Sequence, residues 1–251
     1  MLCVCLFIGW GLSMMLYPSL GDTWLTQWGE KVWGIGLLSA ALAAWISGPG
    51  RMNRLIAVNL SIGGLSILVI ACLRFARSGY QLGQLIEHAI QCALPFLLLV
   101  HVWQKSAEPG FEKSLRIIIA LTFLGHGFYA LGIHAQPSHF IQMVGDILGL
   151  SAANSKIFLI VMGFLDLVVV VGMFLPRTSR LVLWYAIIWG TLTALARIIA
   201  NIESDDLSGS LLRWLPQVML RLGHGGIPLL LLWRHQKINC LSLVEKAATS
   251  A

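Results

Sequence analysis

Phe7-Ile8-Gly9-Trp10-Gly11 and Phe123-Leu124-Gly125-His126-Gly127 are two versions of one apolar, glycine-spaced segment set 116 residues apart. The likeness spreads outward, so that 2–17 corresponds to 118–133. Pro49-Gly50-Arg51 with Arg54-Leu55 is answered by Pro176-Arg177 with Arg180-Leu181, and Leu73-Arg74 by Ala196-Arg197. Gln84, His88, Gln91 and Pro95 fall opposite Gln217, Arg221, His224 and Pro228 at a constant offset of 133. One four-helix unit is thus expected twice, with roughly ten-residue insertions in two loops of the second copy, where insertion costs least.

The solvent for these helices is a bilayer. Apolar residues make up 57% of the chain and charged ones 11%, and the mean hydropathy is +0.80. A soluble globule cannot hide that much hydrocarbon. The spans must be helical, because backbone amides find no water in hydrocarbon and nothing alternates like a barrel strand. The pattern predicts an all-α, polytopic membrane bundle of about eight helices, near 2–17, 31–47, 53–75, 81–104, 114–133, 155–175, 179–200 and 211–233. The first two are short for a span of about 20 residues.

Ten of the 17 Lys and Arg residues fall on one set of alternating loops: Arg51, Arg54, Lys105, Lys113, Arg116, Arg177, Arg180, Arg234, Lys237 and Lys246. The opposite side carries Glu203, Asp205 and Asp206. The positive-inside rule places both termini in the cytoplasm, in a bacterial-type inner membrane, and makes the two copies parallel repeats. The division is 1–106 for the first repeat, 107–236 for the second and 237–251 for a cytoplasmic tail, with 105–113 joining the copies. The outer loop at 134–155 includes a stretch, 141–150, apolar enough to lie on the membrane surface.

The net charge of +6 is read as cytoplasmic anchoring, not nucleic-acid binding, since no basic cluster is interleaved with stacking aromatics. Trp24, Trp28, Trp33, Trp103, Trp214 and Trp233 near span ends fit interfacial belts. The start lacks the basic region and cleavage site of a signal peptide and is read as a mature helix. Cys3, Cys5, Cys72, Cys92 and Cys240 give neither a disulfide framework nor a zinc pattern, and no metal site is expected. Walker, dinucleotide, His-Glu-x-x-His and Gly-x-Ser-x-Gly motifs are absent, which disfavours hydrolytic and phosphoryl-transfer chemistry.

Polar groups at membrane depth are costly and mark candidate sites. Gln217, Arg221 and His224 share one helical face, as do Thr122, His126 and Tyr129, and Asp166 lies midway along its span. The expected arrangement is an Asp166–Arg221 contact flanked by His126, Tyr129 and His224, because each ion lowers the cost of the other. The first copy carries Gln84, Glu87, His88 and Gln91, with Arg74 as a partner for Glu87. Where the second copy has His126 and Asp166, the first is read as having Trp10 and Ala40, which points to a single site in the second half. His126 and His224, each flanked by glycines, are candidate axial ligands of a haem b, against the plainer reading as interhelical hydrogen-bonding groups. His101, His134, His139 and His235 are read as solvated. Pro95, Pro216 and Pro228 are the expected kinks, and Pro95 and Pro228 occupy matching positions.

From 115 to 233 the chain resembles the DoxX-like four-helix membrane family, on Arg116 leading into Phe123, His126-Gly127 and Leu131, Asp166 with Gly172, and the turn Pro176-Arg177-Thr178-Ser179-Arg180. The family usually carries Lys-Leu where this chain has Ala130-Leu131, and Glu as its membrane acid. The resemblance implies a small integral-membrane subunit, in some members associated with quinone-linked sulfur or respiratory redox complexes. The expected function is therefore an accessory subunit of a membrane redox complex that binds lipid or quinone, has membrane-protein partners and has no catalytic centre of its own. One alternative is a haem- or quinone-binding oxidoreductase using His126 and His224. Another is a small-solute transporter using the Asp166–Arg221 cluster.

Overall fold

A computed structural model of the chain describes residues 1–20, 23–48, 51–104, 109–175 and 179–249, with side chains apart from those of 103, 104, 109 and 237–249. Among the described residues there are eleven helices and no strand. They are α1 (Leu2–Leu16), α2 (Trp24–Ile46), α3 (Arg54–Arg77), α4 (Leu82–Ile86), α5 (Ala89–Gln104), α6 (Pro109–Ala130), α7 (Ser138–Leu148), α8 (Ala152–Gly172), α9 (Ser179–Ile199), α10 (Leu207–Met219) and α11 (Gly223–Thr249). The expected turns at Pro49-Gly50 and Pro176-Arg177, and the junction at 106/107, lie outside the described residues.

Helix starts follow local chemistry. The side chains of Thr23, Asn53, Ser151 and Asp206 each accept a backbone N–H three residues on, satisfying a donor that the helix cannot. The helices are apolar around most of their circumference: Leu37, Leu60 and Leu183 are buried, while Leu55, Leu181 and Val171 point outward. Side chains of the same kind on both faces mean that hydrocarbon lies outside as well as inside, and the molecule is a helical membrane bundle.

The expected count of about eight spans is corrected. Four helices are long and apolar enough to cross a membrane, Arg54–Arg77, Leu82–Val102, Ala152–Gly172 and Ser179–Ile199, and a fifth if Leu207–Met219 and Gly223–Gln236, bent by 41°, form one span. The others fall short for physical reasons. α1 has 15 residues, α2 opens on the polar run Thr26, Gln27, Glu30 and Lys31, and α6 carries Glu112, Lys113, Arg116 and His126. Nor does the chain after Trp233 unwind. α11 runs on to Thr249 because no glycine or proline follows Pro228 to stop it.

The packing repeats itself. In each half the first long helix pairs with the second, α1 with α2 and α6 with α8, and α3 pairs with α5 as α9 does with α11. Across the halves α1 lies on α10, and α6 lies on α4. Gly9 and Gly125 sit at these crossings. A Cβ on Gly9 would come within 2.6 Å of the Leu220 amide nitrogen, and one on Gly125 within 2.5 Å of the Glu87 amide nitrogen. Only glycine lets backbones approach so closely.

A second pair of contacts resets one correspondence. Gly34 meets the backbone of Met15, and Gly163 meets that of Leu131, which sets α2 and α8 in register at an offset of 129. The counterpart of Asp166 is then the buried Leu37, not Ala40 as the linear alignment proposed. The loop before the second helix is longer in the later half, and it is this loop that folds into α7.

Candidate functional site

Two helices break where the halves meet. α4 stops at Ile86 and α5 restarts at Ala89, leaving Glu87 and His88 between them; α10 stops at Met219 and α11 restarts at Gly223, leaving Arg221 between them. At both breaks the ladder tightens to i→i−3 bonds, His88 to Leu85 and Arg221 to Val218. The expected kinks at the prolines are corrected by this. Pro95 and Pro228 lie inside α5 and α11, seven residues beyond His88 and Arg221. The 41° bend between α10 and α11 lies where Gly9 presses on the backbone of Leu220, and the α4/α5 break faces Gly125. Pro216 lies inside α10, one turn before its break.

The breaks, the last turns of α3 and α9, and the end of α6 enclose a polar cavity of about 450 Å³. Its wall includes Arg74, Gln84, Glu87, His88 and Gln91 from the first half, and His126, Tyr129, Gln217, Arg221 and His224 from the second. The two sets read as separate clusters in the sequence thus share one chamber. Among the described residues, Glu87 is the one carboxylate in its wall. Its carboxylate accepts from Gln84 Nε2 at 2.6 Å and lies 3.7 Å from the Nδ1 atoms of both His88 and His126. Arg221, Arg197 and Arg74 all act on it electrostatically.

The tautomers follow from the hydrogen bonds. His88 Nδ1 lies 2.8 Å from the Gln84 carbonyl and His224 Nδ1 lies 2.8 Å from the Arg221 carbonyl. Each Nδ1 must donate, because a carbonyl only accepts. Nε2 of neutral His224 is then a lone pair, buried and, among the described residues, without a hydrogen-bond donor. Arg221 Nη1 donates to the carbonyl and to Oε1 of Gln217, both at 3.0 Å, and Gln217 Nε2 donates to Ser13 Oγ of α1.

A second cavity, of about 350 Å³, is lined by apolar side chains of α7, α8 and α9, among them Phe140, Met143, Ile147, Phe158, Met162 and Trp189. His126, Phe140, Arg197, Arg221 and His224 border both cavities. Asp166 lines only the apolar one. The expected Asp166–Arg221 contact is corrected: among the described residues no ion pair joins them. Asp166 is instead buried against α9, where Tyr185 donates to it at 3.4 Å, while Arg221 at the break donates to Gln217. Arg74 also departs from expectation. Its guanidinium lies 4.6 Å from the centre of the Trp10 ring, and it reaches Glu87 through the field of the cavity, without an ion-pair contact among the described residues.

Arg197 was missed as a site residue because it stands at a helix end and reads as a loop charge. Its only sequence signal is the match between Leu73-Arg74 and Ala196-Arg197. Three of the four histidines read as solvated make specific contacts. His134 Nε2 accepts from Gly83 N at 3.1 Å, His235 meets Glu112 and Arg116, and His139 lines the polar cavity. Burial, with Arg197 and Arg221 nearby, pushes the His139 imidazole down to about 4.

His126 and His224, the candidate haem ligands, stand side by side. Their rings pack edge to face, with centroids 5.3 Å apart and planes at 66°. Among the described residues no group of three or more His, Cys, Asp or Glu side chains is placed to hold a metal ion.

No family model matches this chain, and neither a curated protein nor a solved structure matches it. The DoxX-like resemblance rests on the quoted residues alone.

Proposed function

We propose that the chain is a multi-pass membrane component that holds one amphipathic molecule, a lipid or a quinone, in the paired cavities, and has no redox centre of its own. One observation supports it above all. An apolar chamber and a polar one lie side by side and share five wall residues, and each chamber has the size of an ordinary ligand site. A membrane amphiphile has the same two-part chemistry. The reading accommodates a role as a subunit of a quinone-linked complex in an inner membrane, with 1–106 and 107–236 as tandem parallel halves and both termini cytoplasmic.

The test is extraction. Protein purified in mild detergent is delipidated and its bound lipids and quinones are counted by mass spectrometry. About one amphiphile per chain is expected, and Val144→Trp, which fills the apolar chamber, lowers that number. Recovery of no amphiphile in stoichiometric amount overturns the reading.

The breaks at Glu87-His88 and Arg221 occupy matched positions in the two halves, and this favours a second reading as a transporter of the bound molecule. Movement between leaflets of reconstituted vesicles checks it. Glu87→Gln and Arg221→Gln are expected to slow that movement, and unchanged rates in both sink the transport reading.

A further inference from the structure

We infer that the head of the bound molecule is a phosphate monoester, gripped by Arg197 and Arg221 beside His224. The inference rests on the proposed function, in that it names the chemical class of the amphiphile in the same double cavity.

Charge supplies the first argument. Arg74, Arg197 and Arg221 border the polar cavity against the single carboxylate of Glu87. Guanidinium groups keep their proton, so the chamber carries a surplus of about two positive charges when the histidines are neutral. Surplus charge at membrane depth is costly unless something pairs with it. A phosphate monoester carries a charge of about −1.5 to −2 and three strong acceptor oxygens. As a dianion it matches the surplus, and singly protonated it offsets half of it, as a fatty-acid carboxylate does; a neutral quinone leaves all of it.

The unpartnered atoms supply the second argument, and they also place the head. Among the described residues, Nε2 of His224 and Nε of Arg197 are buried and make no hydrogen bond, although the Glu87 backbone carbonyl acts on the His224 ring, and both residues line both chambers. His224 is 4% exposed. With its Nδ1 donating to Arg221, its Nε2 can accept, and a singly protonated monoester offers one P–OH for that lone pair and further oxygens for the guanidinium groups. A bare diester lacks that hydroxyl. Arg74 is covered by Trp10, so it acts on the head through the field of the chamber. From the junction the chain of the amphiphile extends between Phe140, Met162 and Trp189.

Native mass spectrometry of the full chain in mild detergent provides the test, with phosphatidic acid, a long-chain polyprenyl monophosphate, phosphatidylglycerol, a fatty acid, a quinone and inorganic phosphate added separately. One phosphomonoester lipid per chain is expected, bound at least about tenfold more tightly than phosphatidylglycerol, the fatty acid or the quinone. Whichever of phosphatidic acid and polyprenyl monophosphate binds more tightly identifies the source of the head. Arg197→Gln and Arg221→Gln each weaken binding about tenfold or more, Arg74→Gln weakens it less, and His224→Phe abolishes the preference for monoester over diester. Thermal unfolding of each variant identifies any that fails to fold, and Arg197→Lys, which keeps the charge, restores part of the affinity. Tight binding of the quinone or the fatty acid with no preference for phosphate overturns this inference and leaves the proposed function standing. Binding of inorganic phosphate as tight as that of the lipids overturns the link to a hydrocarbon chain. Binding of none of the amphiphiles overturns both readings.

Discussion

Trp10 with Gln91 and His126 with His224 occupy corresponding places in the two halves, and the chemistry diverges there. In the first half Trp10 is buried, donates from Nε1 to Gln91 Oε1 at 3.0 Å and is capped by Arg74. The indole fills the space and leaves that donor and acceptor satisfied. In the second half two imidazoles take up less room, leave Nε2 of His224 without a hydrogen bond among the described residues and line an apolar chamber. α7, which has no counterpart in the shorter loop between α1 and α2, supplies one wall of that chamber. One backbone device therefore yields a plug on one side and a site on the other. Side-chain volume and hydrogen-bond capacity decide which.

The largest effect is expected from removing the plug. Trp10→Ala deletes a fully buried ring and the partner of Gln91, and a loss of about 3–5 kcal/mol follows, read as a fall in the detergent unfolding midpoint. The midpoint of His126→Ala falls by much less, because that imidazole already borders open volume. Equal losses at the two positions would erase the contrast. Next come the crossings themselves. Gly9→Ala and Gly125→Ala each place a methyl against backbone, at Leu220 and Glu87, and each is expected to lose about 1–3 kcal/mol. A loss at one and none at the other would show that the two crossings are not equivalent.

The double variant His126→Trp with His224→Gln transplants the plug into the second half. It is expected to hold stability to within about 1.5 kcal/mol while losing the bound amphiphile, as counted after extraction. The smallest effect belongs to His139. Its folded-state value of about 4 lies below the ordinary value of about 6.5, so the unfolded chain takes up the proton first and stability is lost as the pH falls from about 6.5 to 4. Unfolding midpoints of wild type and His139→Gln across pH 4–8 test the sign, with the wild type losing ground to the variant only on the acid side.

Much of this was legible in the chain. The glycine-spaced segments around Trp10 and His126 mark both crossings, because close backbone contact leaves a sequence trace that side-chain packing does not. The polar residues were legible as two helical faces, since a bilayer gives every buried charge a reason. Their meeting in one chamber was not, because nothing along a linear sequence reports that α6 lies on α4 as α1 lies on α10. The same blindness paired Asp166 with Arg221. Cost at membrane depth says that a charge needs a partner, without saying which one, and Arg221 donates to Gln217 on its own face while Glu87 acts on it through the field of the cavity. The number of spans was overestimated because helical periodicity does not distinguish a rod that crosses hydrocarbon from one, such as α1 or α2, too short or too polar to qualify alone.

The most direct test counts amphiphiles on the protein as it leaves the membrane. Native mass spectrometry in mild detergent is expected to show one bound amphiphile on the wild-type chain and none on the His126→Trp, His224→Gln variant. Two per chain, or the same occupancy in both proteins, would contradict a single site whose apolar chamber the second half supplies.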